Sequence, residues 1–195
     1  MLTESDLRAL CLPGGMLLQL PTNTQLSPAA REYCREQNIT VEFIKPEHMT
    51  HLNSSKLVPK TDPRIKLRGK LDSLQALFLQ AIAQANELGR SKCAADLGEC
   101  FALAQAIMAA EVKEEPLPPP CLFGMDSAAL RHASHAEFIA PHAGMGGLCL
   151  VLNHLRTQVR ETELAACAIE RLDLIEALNR MSSAVYLLFL KELET

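Results

Sequence analysis

The chain has 195 residues, of which 48% are hydrophobic, 22% charged and 4% aromatic, and its formal net charge is −4. This length predicts one domain, or one domain with a small appendage, that folds without a disulfide or a metal. The apolar content excludes a disordered chain, and the negative charge with few aromatic rings argues against nucleic-acid binding. The longest apolar run, residues 184–190, is too short to span a membrane.

Seven cysteines are spread along the chain without the close pairs that zinc or iron–sulfur sites need. They are Cys11, Cys34, Cys93, Cys100, Cys121, Cys149 and Cys167. The N-terminus has neither the basic nor the apolar segment of a signal peptide. An odd number of cysteines without a secretion signal is typical of free thiols in a reducing cytoplasm. Cys93 and Cys100 share one face of a predicted helix, and we interpret them as core residues.

The first 45 residues predict a small β-α-β unit. A short apolar run ends at Pro21, and Ser27 followed by Pro28 is typical of a helix start. Residues 40–44 are β-branched and alternating, which predicts a second strand. Because no glycine fingerprint follows the first strand, we predict no nucleotide site here. We assign residues 1–50 to this extension and residues 51–195 to a second domain.

From about Leu67 onward the apolar residues follow helical spacing. The predicted helices span about 67–88, 127–136, 148–171 and 172–193, with a further helix between the first two whose apolar stripe runs over 97–108. Gly89 is a plausible stop for the first, a proline-rich stretch at 116–120 ends the second, and Asp126 or Ser127 caps the third. The fold class is therefore mainly α: a five-helix antiparallel bundle with a small N-terminal β-α-β extension.

A basic segment, residues 56–70, interrupts this acidic chain. Its cations are Lys56, Lys60, Arg64, Lys66, Arg68 and Lys70, and Asp62 is its one acid, so it carries +5 and the remainder −9. Because it contains prolines and precedes a helix, we predict a loop that leads into a helix N-terminus, which is a favourable place for phosphates. The alternative is a solvated loop whose cations pair with acidic neighbours.

Two further polar clusters lie on predicted helices. Arg156, Arg160 and Glu163 share one face of the fourth helix, where two planar guanidinium groups suit a phosphate chain. An ordinary surface network with an Arg160–Glu163 ion pair is the other interpretation. Asn179 and Arg180 interrupt the apolar fifth helix, and because such groups are costly to bury alone, they indicate a site or an interface.

The order of these clusters carries a family resemblance. Residues 51–73, the motif at 155–163 and the motif at 178–183 together resemble the ethanolamine-utilization cobalamin adenosyltransferases. The likeness runs from about His51 to the C-terminus, and residues 26–32 are similar to the family's N-terminal extension. The more distant propanediol-type enzymes share the bundle, and their motifs match in part.

The resemblance implies roles for individual residues. Lys60 and Asp62 match a phosphate loop, Asp72 matches an acid that pairs with Arg156 across a subunit boundary, and Asn179 matches a residue that touches ATP. The residues implied to bind ATP and its phosphates are Lys56, Lys60, Asp62, Arg64, Arg68, Arg160, Glu163 and Asn179. Catalytic roles fall to Arg156, Arg160 and Asp72, and cobalamin contacts to Phe138 and Gly144.

The implied reaction transfers the 5′-deoxyadenosyl group of ATP to cob(I)alamin with Mg²⁺. The resemblance also implies a homo-oligomer with ATP near a subunit interface. A reductase and ethanolamine ammonia-lyase are the implied partners, in the cytoplasm and inside a bacterial microcompartment. The alternatives are an ATP-binding regulator built on the same bundle and a helical interaction module, both without turnover.

One departure from the family concerns metal. Many ethanolamine-type members carry a His-x₁₁-Cys-Cys-x₂-Cys cluster before the basic segment. Here no cysteine lies between Cys34 and Cys93, and Ile44 and Lys56 are too close to hold the cluster. We therefore predict no structural iron or zinc. His132 and His135 form an incomplete ligand set, and we interpret them as surface histidines.

Overall fold

The computed structural model describes residues 1–134 and 139–194, and the chain divides into two compact units. The first unit is Met1–Lys60 and the second begins at Thr61. The sequence placed the boundary earlier, after residue 50. The difference arises because an antiparallel hairpin pairs Met49–His51 with Leu57–Pro59 and so joins residues from both sides of that position.

The first unit contains the predicted β-α-β arrangement, which is confirmed. Its elements are α1 (Glu4–Ala9), β1 (Leu17–Pro21), α2 (Pro28–Glu36), β2 (Thr40–Ile44), β3 (Met49–His51) and β4 (Leu57–Pro59). Strands β1 and β2 pair in parallel, with α2 as the connection between them. The Ser27 hydroxyl accepts a bond of 3.1 Å from the Ala30 amide, and Pro28 occupies the first turn, as the sequence predicted.

The second unit is a helical bundle. Its helices are α3 (Pro63–Glu87), α4 (Ser91–Lys113), α5 (Ser127–Ser134), α6 (Gly147–Cys167) and α7 (Leu172–Leu193), with a 3₁₀ turn at Ala143–Met145. The mainly helical class and the bundle of five helices are confirmed. Apolar stripes on the long helices meet in one core, in which Phe78, Leu97, Leu152 and Phe189 are at most 1% exposed.

Ion pairs at the helix ends establish the antiparallel order. Arg90 at the start of α4 binds Glu192 at the end of α7 at 2.9 Å, and Lys70 early in α3 binds Glu161 late in α6 at 2.6 Å. The long helices therefore follow the order α3, α4, α7, α6 around the core, and the short helix α5 packs on α7. This arrangement places α5, α6 and α7 side by side, where the two polar clusters meet.

The basic segment is not one loop, and that prediction is wrong. Helix α3 begins at Pro63, so its first turns carry Arg64, Lys66, Arg68 and Lys70. The Asp62 carboxylate caps the helix by accepting a bond of 2.9 Å from the Arg64 amide. A proline at the first helical position and an acidic cap together start the helix before the apolar periodicity becomes visible.

Helix α4 is the one described helix that is long and apolar enough to cross a membrane, a test that core helices of bundles also pass. It contacts α3 and α7, and its Asp96 and Glu111 are buried within the unit. Both carboxylates are bound by cations, Asp96 by Lys92 and Glu111 by Arg64 and Arg68. These contacts are those of a helix within a bundle.

Candidate active site

A cleft of about 690 Å³ opens between α5, α6 and α7. Its described lining residues are Arg131, Ser134, Arg156, Arg160, Glu163, Leu164, Asn179, Arg180, Ser182, Ser183 and Tyr186. Four of these are arginines and one is a glutamate, so the described wall carries a strong excess of positive charge. Guanidinium groups concentrated on one wall suit a ligand with several phosphates.

Arg156 projects from α6 over the ring of Tyr186 on α7. The guanidinium carbon lies 4.8 Å from the ring centroid, and the ring itself stacks on the buried Phe189 with centroids 5.9 Å apart. A cation–π stack uses the face of the guanidinium and leaves its edge donors directed outward. Arg156 is thus held in place while its N–H groups stay available to an anion.

Arg160 lies one turn further along α6 and is exposed. The Arg160–Glu163 ion pair of the alternative interpretation does not form among the described residues. Glu163 instead accepts a bond of 3.0 Å from the Asn179 side-chain nitrogen. The arrangement therefore leaves the Arg160 guanidinium at the cleft without a carboxylate partner in the described part of the chain.

Asn179 is fixed between two charged groups. Arg180 donates to its side-chain oxygen, and its nitrogen donates to Glu163. Because arginine only donates and a carboxylate only accepts, the two bonds determine which way the amide faces. A second Arg180 nitrogen donates to the Ser127 carbonyl at 3.3 Å, which ties α7 to the start of α5. The partners that the sequence required for these polar residues thus come from neighbouring helices.

Arg64 and Arg68 do not line the cleft. Both bind Glu111, which is 1% exposed, and Arg64 also binds Glu114. Arg64 lines a separate cavity of about 500 Å³ where the start of α3 meets the end of α4. In this arrangement the charges of both arginines are balanced by the protein's own carboxylates.

The other cations of the basic segment divide between the two interpretations. Lys70 pairs with Glu161, as the alternative of acidic neighbours predicts. Lys56, Lys60 and Lys66 are exposed and form no ion pair with a described residue. Lys56 and Lys60 belong to the first unit. The segment therefore has both paired cations and cations that remain open to a ligand.

The remaining predicted residues lie outside the arginine cleft. Asp72 is exposed on α3 and has no ion-pair partner within residues 1–134 or 139–194. Gly144 lies in the turn before α6, where it lines a cavity of about 540 Å³ beside the Arg90–Glu192 pair. Phe138 falls outside the described residues. The structure thus brings together Arg156, Arg160, Glu163 and Asn179 from the predicted set.

The cysteines behave as buried or isolated thiols. Burial raises the pKa of Cys93 to about 11 and raises that of Cys100 further, so both are protonated at neutral pH. Within the described part of the chain no three His, Cys, Asp or Glu side chains group as metal ligands would. His132 is exposed, and His135 lies outside the described residues. The prediction of no structural iron or zinc stays a prediction.

Sequence reasoning missed four side chains of the cleft: Arg131, Ser134, Leu164 and Tyr186. Tyr186 had a usable signal, since Asn179, Ser183 and Tyr186 recur at i, i+4 and i+7 and so share one face of α7. Arg131 and Ser134 had none, because α5 is short and its contact with α7 follows a long connection. Only the tertiary arrangement brings them to the cleft.

The structure thus defines a helical bundle with an arginine-rich cleft. A family model for cobalamin adenosyltransferase matches residues 44–192. The chain belongs to the cobalamin adenosyltransferase family and is a transferase.

Curated relatives agree with the family model. The corrinoid adenosyltransferase EutT of Escherichia coli K12 is 29% identical over 249 aligned positions, which cover 97% of this chain and 91% of the relative. EutT of Salmonella typhimurium LT2 is 28% identical over the same shares of both chains. Because these alignments are longer than this chain, the relatives carry residues that have no counterpart here. No solved structure matches the chain.

Proposed function

We propose that this enzyme transfers the 5′-deoxyadenosyl group of ATP to cob(I)alamin. The electron pair of cobalt(I) attacks C5′, the bond from C5′ to the phosphate oxygen breaks, and triphosphate leaves. The observation that carries the proposal is the cleft that four arginines and the oriented amide of Asn179 line together. A wall of guanidinium groups stabilises the negative charge that grows on the leaving triphosphate.

Different residues of the cleft bind different parts of ATP. Arg156 and Arg160 direct free N–H donors at the phosphates, and Asn179 offers its remaining donor and acceptor to the nucleoside. Mg²⁺ neutralises part of the triphosphate charge when bound, and Glu163 is the lining carboxylate that would hold it together with the phosphates. Because reduced cobalt is itself the nucleophile, no general base is required.

The basic segment keeps the phosphate-binding role that the resemblance implies. Lys56, Lys60 and Asp62 keep the role of a phosphate loop, and the exposure of both lysines supports it. Arg64 and Arg68 would join only by exchanging their bonds to Glu111 for bonds to phosphate. We therefore assign the larger part of triphosphate binding to Arg156 and Arg160.

The corrinoid would lie beside the turn that contains Gly144 and beside Phe138. An apolar pocket there would exclude water from the lower face of cobalt and favour the four-coordinate form, which is easier to reduce. Exposed glycines at 144, 146 and 147 allow the backbone of the turn to approach a flat ring closely.

We also propose a biological setting for the enzyme. The EutT relatives support a role in ethanolamine utilization, with a reductase as the source of cob(I)alamin and ethanolamine ammonia-lyase as the consumer of adenosylcobalamin. We place the enzyme in the cytoplasm, inside a bacterial microcompartment. We also propose a homo-oligomer in which ATP binds near a subunit interface, with Asp72 of one copy facing Arg156 of another.

A decisive assay mixes the purified protein with ATP, Mg²⁺ and chemically reduced cobalamin. We expect adenosylcobalamin, identified by its light-sensitive spectrum. Arg160→Ala should raise the KM for ATP by about tenfold or more, because it removes charge-assisted bonds to phosphate, while Arg31→Ala in the first unit should change nothing. An ATP-binding regulator would bind ATP in calorimetry without forming product, and an interaction module would not bind it.

The same assay tests the metal proposal. The lack of the family's His/Cys cluster predicts full turnover after transition metals have been removed by chelation and Mg²⁺ restored. Turnover that returns only after iron or zinc is added would contradict the proposal.

A further inference from the structure

We propose that Tyr186 is a positioning residue that acts toward both substrates, through its ring toward ATP and through its hydroxyl toward the corrinoid. The inference rests on the proposed function for the identity of the two substrates. Its structural basis is that one side chain on α7 contacts Arg156 of α6 and the backbone of Ile139 beyond α5.

The ring is held by the core and in turn holds Arg156. Tyr186 stacks on Phe189, which is 1% exposed, with an angle of 19° between the ring planes. Arg156 lies 4.8 Å above the same ring and forms no ion pair with a described residue. A long arginine side chain without such a support would sample many rotamers, and binding phosphate would then require it to be ordered. Because the ring already orders Arg156, little side-chain entropy remains to be lost when phosphate binds.

The hydroxyl anchors the segment that leads to the Gly144 turn. The Ile139 amide donates to the Tyr186 hydroxyl oxygen at 3.3 Å. Between this bond and the start of α6 at Gly147 lie Gly144 and Gly146, the latter with φ of +85°. A glycine-containing segment has many alternative backbone states. An anchor at its beginning therefore limits the positions that the proposed corrinoid-facing turn adopts.

Two substitutions separate these roles because they remove different parts of one side chain. Tyr186→Phe keeps the ring under Arg156 and removes the bond to Ile139. Tyr186→Leu keeps an apolar side chain at this half-buried position and removes both the ring and the hydroxyl. A residue that merely stabilised the fold would affect both substrates to the same extent in each variant.

Steady-state kinetics on the full-length enzyme test the inference. We expect Tyr186→Phe to raise the KM for cobalamin by roughly threefold to tenfold, the value of one neutral hydrogen bond, with the KM for ATP unchanged. Tyr186→Leu should raise the KM for ATP as well, by about tenfold, which is within the range of a partly buried cation–π contact. Equal changes in both KM values for Tyr186→Phe, or an unchanged KM for ATP in Tyr186→Leu, would overturn the proposal.

Binding of inorganic tripolyphosphate gives a readout that needs no turnover. In calorimetry, Tyr186→Leu should weaken this probe by about tenfold and Tyr186→Phe should not. The chain has two tyrosines and no tryptophan, so a Tyr33→Phe background makes Tyr186 the sole source of intrinsic fluorescence. Its emission should change when tripolyphosphate binds and when Arg156 is replaced by Ala. Emission that is insensitive to both would refute the contact.

The two proposals fail separately. If the wild-type enzyme forms no adenosylcobalamin but Tyr186→Leu weakens tripolyphosphate binding, the proposed reaction is wrong and the role of the ring stands. If product forms normally and neither variant changes a KM or the binding of tripolyphosphate, the reaction stands and the role of Tyr186 is wrong.

Discussion

Glu111 is a single buried carboxylate that binds two arginines of the basic segment. It is 1% exposed on α4, and its two carboxylate oxygens bind Arg64 and Arg68 on α3. Its backbone carbonyl accepts a further bond of 2.8 Å from Arg64. Desolvation makes a buried charge costly unless it is fully paired. Arg64 and Arg68 thus fasten the end of α4 to the start of α3 in the described structure.

Replacing Glu111 should therefore destabilise the fold. We expect Glu111→Gln to lower the free energy of unfolding by about 3 kcal/mol, because it removes the buried carboxylate charge that Arg64 and Arg68 share. Urea unfolding measures this change. Glu87→Gln, at an exposed position of α3, is the matched control and should change the stability by less than about 0.5 kcal/mol. Equal losses of stability in the two variants would show that the ion pairs of Glu111 stabilise the fold no more than an exposed carboxylate does.

Asp173 gives the fold a dependence on acid pH. Arg171 binds its carboxylate at 2.7 and 2.9 Å and, with the Leu117 amide at 2.9 Å, holds the pKa of Asp173 well below its usual range despite partial burial. A depressed pKa in the folded state means that the ionised carboxylate stabilises the fold above the unfolded pKa of about 4, and that this stability is lost as the pH falls below it.

The corresponding variant is Asp173→Asn. It should be less stable than the wild type at pH 7 by about 2 kcal/mol, the value of charge-assisted bonds, and the difference should shrink as the pH falls below about 4. Unfolding curves across that range measure it, with the exposed Glu176→Gln on the same helix as the control. A difference that grew on acidification would contradict the assigned sign.

Replacing either of two glycines at the helices by alanine should change the stability of the protein, in opposite directions for the two positions. Gly89 follows α3 with φ of +70°, whereas Gly98 lies inside α4, and an added Cβ meets no atom within 4 Å at either position. Gly89→Ala should destabilise the protein by about 1 kcal/mol because alanine disfavours the left-handed region. Gly98→Ala should stabilise it by roughly 0.5–1 kcal/mol through helix propensity. Thermal unfolding of the two single variants measures the contrast, and shifts in the same direction would count against it.

Helix starts were predictable where a cap stands next to an apolar stripe, and helix ends were less so. Ser27 and Pro28 predicted α2 correctly. The prediction ran α6 on to residue 171, whereas it ends at Cys167 because the chain reverses there, with Glu170 at φ of +56°. Alanine and glutamate in that turn are good helix formers, so local propensity cannot reveal a reversal that the packing of α7 on α6 requires.

The sequence predicted which site residues share a face of one helix. Spacing alone placed Arg156, Arg160 and Glu163 on one face of α6, and the cost of burial marked Asn179. Pairing between helices was not predictable, because a helical period says which residues share a face but not which face of another helix lies opposite. The contacts of Glu163 with Asn179 and of Arg156 with Tyr186 are such pairings.

For the whole molecule, the net charge of −4 conceals where the positive charge lies. The basic segment contributes +5, but Arg64, Arg68 and Lys70 are paired with acids inside the bundle. The arginines of the cleft come instead from α5, α6 and α7. Attraction for a polyanion therefore arises mainly from side chains that the fold brings together, with exposed lysines of the segment as an addition.

The proposed oligomer shares its site between subunits, and variants mixed within one oligomer test this proposal. Asp72 and Arg156 lie in the same unit and form no ion pair with each other within one chain. If Asp72 of one subunit pairs with Arg156 of the next, Asp72→Asn and Arg156→Gln should each lose most activity. Co-expression should restore activity, because about a quarter of randomly formed interfaces then have both native residues.

The control for this experiment mixes the separately purified variants under conditions that prevent subunit exchange, where activity should stay low. Analytical ultracentrifugation establishes the size of the assembly in each sample. A monomeric wild type that is fully active would exclude a shared site. Activity that stays low after the subunits have exchanged would also exclude it, because a quarter of the mixed interfaces would then have both native residues and still form no site. Recovery only after exchange requires that two subunits together form each site.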